Sequence, residues 1–233
     1  MNEFLREDAL QIINENDGLT ELKNTSFLIT GASGMVGIYF VNTLLVLNEM
    51  YDANIKINLL VRNTKKLPEY VLNNTNVNII EQDVVETINF SDNVDYVIHA
   101  ASPASPLIMK EKPVETIFAN TIGTANTLIL AHKKKAKGYL FISSREIYGE
   151  PDENQEYFVE NGRYGQIDHL VPRNGYAEGK KAAENMCASF AQEYGLNAKC
   201  VRLAHTYGPG MSIYDGRVQA DFLKNIVNNE DIV

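Results

Sequence analysis

Short apolar runs alternate along this chain with longer segments whose apolar positions recur every three or four residues. The runs, near 26–30, 55–61, 77–82, 94–100, 138–143 and 198–204, predict strands. The longer segments, near 35–50, 113–135 and 174–194, predict helices, and another is expected from about Arg217. Pro113 suits a helix start, and Gly138 and Gly195 suit helix ends. This alternation predicts an α/β fold built on a doubly wound parallel sheet. Ahead of the first strand, Phe4, Leu5, Ala9, Leu10 and Ile13 fall on one face of a short helix within residues 1–22. That face either packs on the domain or forms an oligomer contact. Residues 145–173 carry Gly, Pro and polar residues with no clear period. They lie between a strand end and a helix, and open α/β sheets bind ligands at the carboxyl ends of their strands. The segment is therefore expected to face substrate.

Composition narrows the function classes. The 233 residues suffice for one large domain, or one domain plus part of another. A net charge of −9 disfavours nucleic acid as a partner. The basic cluster Lys133-Lys-Lys135 with Lys137 falls near a predicted helix end, where it suits the helix dipole as a solvated face. Cys187 and Cys200 show no metal spacing and suggest no disulfide framework. No metal site is expected, and a reduced, cytoplasmic setting fits. No apolar run approaches the roughly 18–20 residues of a membrane span, so no membrane partner is expected. No signal peptide is visible.

Two motifs carry chemistry. In Phe27-Leu-Ile-Thr-Gly31-Ala-Ser-Gly34-Met-Val-Gly37 an apolar run leads through a glycine turn into a helical segment. Strand, turn and helix are the parts of a dinucleotide fingerprint, here spaced G-x-x-G-x-x-G. Gly31 would allow the tight turn, Gly34 would let backbone approach a pyrophosphate, and Gly37 would let helix and strand pack closely. The pyrophosphate would rest on the helix N-terminus, where free N–H groups favour anions. Downstream, Tyr176 and Lys180 share a helical face at i and i+4. A lysine ammonium held there is expected to lower the phenol's pKa. Phe141-Ile-Ser-Ser144 ends an apolar run in two hydroxyls, which could hold a substrate oxygen against that phenol. Together these groups suit the oxidation of a sugar hydroxyl. After the second predicted strand, NAD-selective folds usually place an acid. Here Arg62 follows instead, with Lys65 and Lys66 behind it. That tilts the expected cofactor, NAD or NADP, toward NADP.

These residues together resemble the extended short-chain dehydrogenase family, specifically its NAD-dependent nucleotide-sugar epimerases, dehydratases and decarboxylases. The resemblance runs from about residue 25 to the end. It rests on the glycine turn, Asp83-Val84, His99-Ala-Ala-Ser102, Asn120 with Gly123-Thr124, Ser143 to Gly149, Tyr176 with Lys180, and Arg202 to Gly208. Further stretches resemble the UDP-glucuronate decarboxylases within that family. These are Ala101-Ser-Pro-Ala-Ser-Pro106, Lys112-Pro-Val, Asn120-Thr-Ile-Gly-Thr124, Glu146-Ile-Tyr-Gly and Asp215-Gly-Arg-Val218. The resemblance implies a Rossmann-like domain over 23–204 behind a helical extension over 1–22. It also implies that 205–233 begin a substrate-binding region, present only in part because family members are longer. Homodimers are common in the family.

The resemblance also assigns roles. Tyr176 would take the proton of the sugar 4-hydroxyl, Lys180 would hold the phenolate and the nicotinamide ribose, and Ser144 would bond the reacting oxygen. Ser143 is its less direct neighbour. The cofactor would meet Gly31, Ser33, Gly34, Met35, Val36, Gly37, Arg62, Ala100, Ala101, Ser102, Asn120 and Ser143. Asp83 would contact the adenine amino group with Val84 beside the ring. Glu146 would act near C5 of the sugar. Family dehydratases carry an Asp where this chain has Arg145, and arginine stays protonated, so dehydration is disfavoured. Arg145 could bind a sugar carboxylate or pair with a loop acid such as Glu150. With Ser102, His205 and Arg217 would complete the substrate contacts, Arg217 near the diphosphate. The family residue at position 205 is usually Asn. Decarboxylation and 4-epimerisation both remain open, as do a cofactor-binding scaffold without chemistry and an inactive fragment.

Overall fold

The structure, a computed structural model, describes residues 1–151, 153–162 and 164–232. The chain begins with α1 (Glu3–Asn14), capped by the Asn2 side chain, which accepts from the Leu5 N–H at 2.9 Å. A 3-10 turn then leads into β1 (Ser26–Thr30), α2 (Met35–Tyr51) and β2 (Lys56–Val61). A short α3 (Glu69–Leu72) precedes β3 (Val77–Glu81) and β4 (Tyr96–His99). Next come α4 (Pro106–Glu111), α5 (Pro113–Lys133) and β5 (Gly138–Ser144). Last are α6 (Gly175–Tyr194), β6 (Ala198–Leu203) and α7 (Val218–Asn228).

All strand pairings among the described residues are parallel, and the strands lie in the order β3-β2-β1-β4-β5-β6. The order reverses at β1. The chain builds outward through β2 and β3, then returns to the other side of β1 as β4. Such a reversal opens a crevice at the strands' carboxyl ends. Burial on both faces explains why β1 reads as an unbroken apolar run. Phe27 and Ile29 face one side with Val41, Leu44 and Leu47 of α2, while Leu28, Val97 and Phe141 face the other with Leu128 and Ala183.

Several sequence expectations shift in detail. The α1 helix packs on the domain through Ala9 and Ile13, and Arg6 forks onto Glu49 of α2 at 2.6 and 2.8 Å. Phe4, expected on that face, is 72% exposed because it stands beside the Leu5-Ala9-Ile13 line in the first turn. The run expected over 94–100 pairs only over Tyr96–His99, and Ala100 leaves the sheet toward the crevice.

The 145–173 segment is more organised than its composition suggests. Tyr148 stacks on Phe158 at 4.9 Å between centroids and meets Tyr164 edge-on at 5.4 Å. Arg202 of β6 lies over both tyrosine rings and donates to both hydroxyls. Its guanidinium also donates to Glu184 of α6 and to the Glu160 carbonyl. One arginine thus ties loop, helix and edge strand together.

Candidate active site

The glycine turn meets the β4 loop at the switch point. Gly31 has φ +70°, and a Cβ there would lie 2.6 Å from the Ala100 carbonyl. Only glycine escapes both penalties. A Cβ on Gly37 would lie 2.3 Å from the Gly31 oxygen, so this glycine brings α2 against the turn. Gly34 occupies the N-cap of α2 without a side-chain cap bond, which leaves the first-turn N–H groups available to an anion. Thr30 and His99 join the ends of β1 and β4 by a 2.7 Å hydrogen bond, and Thr30 Oγ1 accepts from the Ala101 N–H at 3.2 Å. Burial, with Lys180 nearby, pushes His99 down to about 3, so the ring is neutral.

A cavity of about 630 Å³ opens here. Of the residues expected at a cofactor, Gly31, Ser33, Gly34, Arg62, Asp83, Val84, Ala100, Ala101 and Ser102 line it. Met35 and Val36 line a different cavity of about 550 Å³, walled by Phe27, Tyr39 and Phe40 on the α1–α2 side. Asn120 does not reach the dinucleotide-sized cavity. It is fully buried, donates to its own helix at the Thr116 carbonyl, and packs against Gly179 where α5 and α6 approach. Ser143 is likewise committed elsewhere, donating to Glu184 at 2.5 Å. Arg62 is not free: its guanidinium is paired with Glu115, which the sequence reading did not single out, and it stands 3.8 Å from Asp83.

Tyr176, Lys180 and Ser144 are brought together and buried. Lys180 Nζ donates to the Ile142 carbonyl at 2.6 Å and lies 5.7 Å from the Tyr176 ring centroid. Burial holds its amine down at about 7. The expectation that Lys180 lowers the phenol is not met, because burial dominates and raises Tyr176 above its ordinary value. The Ser144 hydroxyl opposes that rise, as do the charges of Arg217 and Arg173, while Glu146 adds to it.

Glu146 follows β5 in a 3-10 turn and is gripped by Arg173, whose two terminal nitrogens donate to its two oxygens at 2.5 and 3.0 Å. Arg173 precedes Tyr176 by one helical turn, a spacing that could have marked it in the sequence. Glu184 was also legible, since it continues the i, i+4, i+8 face of Tyr176 and Lys180. Arg217 is drawn in from the C-terminal segment. It pairs with Asp215 and donates to the Thr206 carbonyl at 3.0 Å, and Ser105 donates to the Asp215 carbonyl at 2.8 Å. Arg145 is exposed and makes no ion pair with a described residue. His205 is also exposed, with φ +46°, a left-handed conformation that Asn adopts readily. Among the described residues no group of three or more His, Cys, Asp or Glu is placed to hold a metal ion, and no helix is long and apolar enough to cross a membrane.

The family model described as "NAD dependent epimerase/dehydratase family" matches residues 27–233. The chain belongs to that family. Within it, the chain is 33% identical over 217 residues to UDP-glucuronic acid decarboxylase 1 of Xenopus tropicalis, covering 92% of this chain and 49% of that protein. It is 32% identical over 210 residues to UDP-glucuronic acid decarboxylase 6 of Arabidopsis thaliana, covering 89% and 58%. The chain thus spans about half the length of the curated relatives it matches. The fold is similar to that of a dTDP-glucose 4,6-dehydratase from Streptomyces venezuelae solved with NAD bound (TM-score 0.74, 20% identity, covering 88% of this chain and 63% of that one). A UDP-galactose 4-epimerase is also similar (TM-score 0.71, 23% identity, covering 90% and 65%).

Proposed function

We propose that this chain modifies a nucleotide sugar through transient oxidation at C4, and that its reaction is decarboxylation of UDP-glucuronate. The observation that carries the reading is the clustering of Ser144, Glu146, Tyr176 and Lys180 at the carboxyl end of β5, in the same parallel sheet whose β1 and β4 ends carry the glycine turn. The curated relatives support the choice of substrate.

NAD(P) bound in the crevice would supply an acceptor for hydride at the start of the cycle and a donor at its end. The glycine turn and the α2 N-terminus would hold its pyrophosphate, with Asp83 and Val84 toward the adenine. Tyr176 takes the proton of the 4-hydroxyl, and Ser144 fixes that oxygen against the phenol. Lys180, buried and bonded to the Ile142 carbonyl, anchors the rear of the tyrosine helix against β5. The product of this step is a 4-keto sugar. With a carboxylate on C5 it is a β-keto acid, which loses CO₂ without an acid catalyst at the leaving group. Glu146, oriented by Arg173 and close enough to act on the phenol's charge, handles the proton that C5 then requires. Arg145 stays protonated and cannot replace the acid that dehydration needs.

Incubation with UDP-glucuronate and added NAD⁺ or NADP⁺ tests the reading. UDP-xylose is the expected product. UDP-galacturonate would assign 4-epimerisation instead, and binding of cofactor without turnover of any uronate would favour a non-catalytic role.

A further inference from the structure

Arg62 directly follows β2, at the position that usually discriminates the 2′ substituent of a dinucleotide. Its side chain is half exposed and lines the crevice with Asn63, Lys66 and Asp83. Across the crevice, the N-cap and first turn of α5 contribute Lys112 and Glu115 to the same lining. Glu115 is the hub. Its carboxylate accepts from Arg62 and lies 3.5 Å from Lys112, and the Arg62 pairing holds it below the usual carboxylate range.

We propose that Glu115 is the residue that sets the choice between NAD and NADP, by holding the Arg62 guanidinium that a 2′-phosphate would otherwise claim. The inference rests on reading the crevice as a dinucleotide site. An unphosphorylated ribose leaves the Arg62–Glu115 pair intact. A 2′-phosphate gains Arg62 only by displacing a carboxylate, and Glu115, left with Lys112 alone, and Asp83 then stand beside a dianion. Two like charges at such range repel, and the arginine is more valuable to phosphate than to carboxylate only when its fork is free. The lean of the sequence toward NADP rested on the arginine, whose partner lies 53 positions away.

The test is equilibrium binding of NAD⁺ and NADP⁺ to the purified chain and to two variants, followed by calorimetry so that no turnover is required. The wild type is expected to bind NAD⁺ more tightly than NADP⁺. Glu115→Gln keeps the side chain's shape and removes its charge. It is expected to raise affinity for NADP⁺ by about three- to tenfold relative to NAD⁺, the range for one partly exposed charge contact. Adding Arg62→Gln to that variant is expected to abolish the gain. Equal effects on both dinucleotides, or weaker NADP⁺ binding in Glu115→Gln, would overturn the role of Glu115 while leaving the crevice a dinucleotide site. Binding of neither dinucleotide to any form would overturn the reading of the crevice itself, and the proposal with it.

Discussion

Arg173 and Glu146 form a two-pronged ion pair at 2.5 and 3.0 Å, one helical turn ahead of Tyr176. The two charges act on the phenol in opposite directions: Glu146 raises its pKa and Arg173 lowers it. Arg173→Met is therefore expected to leave Glu146 uncompensated and move the Tyr176 titration to higher pH. The upward direction follows from losing one nearby positive charge while the carboxylate stays. Titration of ring-labelled tyrosine by NMR reads the shift directly. Arg173→Lys, which keeps the charge and loses the fork, is expected to shift it less. An unmoved Tyr176 titration in Arg173→Met would remove this electrostatic coupling from the account.

Lys180 makes a second prediction about pH. Its amine titrates at about 7 in the fold, below the ordinary lysine value of 10.5, because burial disfavours the ammonium. Between those two values the unfolded chain carries a proton that the folded chain lacks. Stability from this group is thus fully present above the unfolded value and is lost as pH falls toward 7. Comparing denaturant unfolding of the wild type and Lys180→Met across that window isolates the effect. The difference is expected to move in favour of the wild type as pH rises, with a slope of at most ~1.4 kcal/mol per pH unit. A flat difference would mean that the lysine is charged in the fold.

Gly37→Ala tests the packing of the turn. The added Cβ would meet the Gly31 oxygen at 2.3 Å and the Ala32 Cα at 2.8 Å, both backbone atoms with little room to yield. The variant is expected to lose about 1–3 kcal/mol of stability, the usual range for overpacking. Dinucleotide affinity should fall in parallel as α2 is pushed off the turn. Thermal melts and calorimetric binding check both effects, and wild-type values for each would contradict the close approach.

Arg202→Met should release the loop that Arg202 fastens. Without its guanidinium, the Tyr148, Tyr164 and Glu160 contacts are all lost together, and Glu184 keeps only Ser143. Limited proteolysis is expected to cut within 149–171 several times faster than in the wild type, since cleavage follows local opening. Unchanged cleavage there would show that the aromatic stacking and the backbone bonds between Tyr148 and Gly165 hold the loop without Arg202.

Local spacing made much of this architecture readable. The glycine turn, Tyr176 with Lys180, and the alternating strands and helices each lie within one or two adjacent elements, where period and turn chemistry act directly. What the sequence hid are relationships between distant elements. Arg173 meets Glu146 across 27 positions of mostly irregular chain, and Arg62 meets Glu115 across 53. No periodicity connects such pairs. Asn120 faces inward toward Thr116 where α5 and α6 approach closely at Gly179, and Ser143 of β5 turns to Glu184 of α6. The sign of the Tyr176 shift was missed for a related reason. A sequence shows that a lysine is near, but not that both side chains are buried deeply enough for desolvation to outweigh charge.

In the proposed reaction the Tyr176 cluster deprotonates the 4-hydroxyl of a uronate sugar, bound NAD(P)⁺ would take the hydride, and the carboxylate then leaves as CO₂. UDP-glucuronate labelled at its carboxyl carbon, incubated with the purified chain and NAD⁺, tests it most directly. The account predicts release of labelled CO₂ with formation of UDP-xylose, slowed at least ~100-fold in Tyr176→Phe, as expected for loss of a general acid–base group. Full retention of the label in the sugar nucleotide by a wild-type chain that binds the cofactor would contradict it.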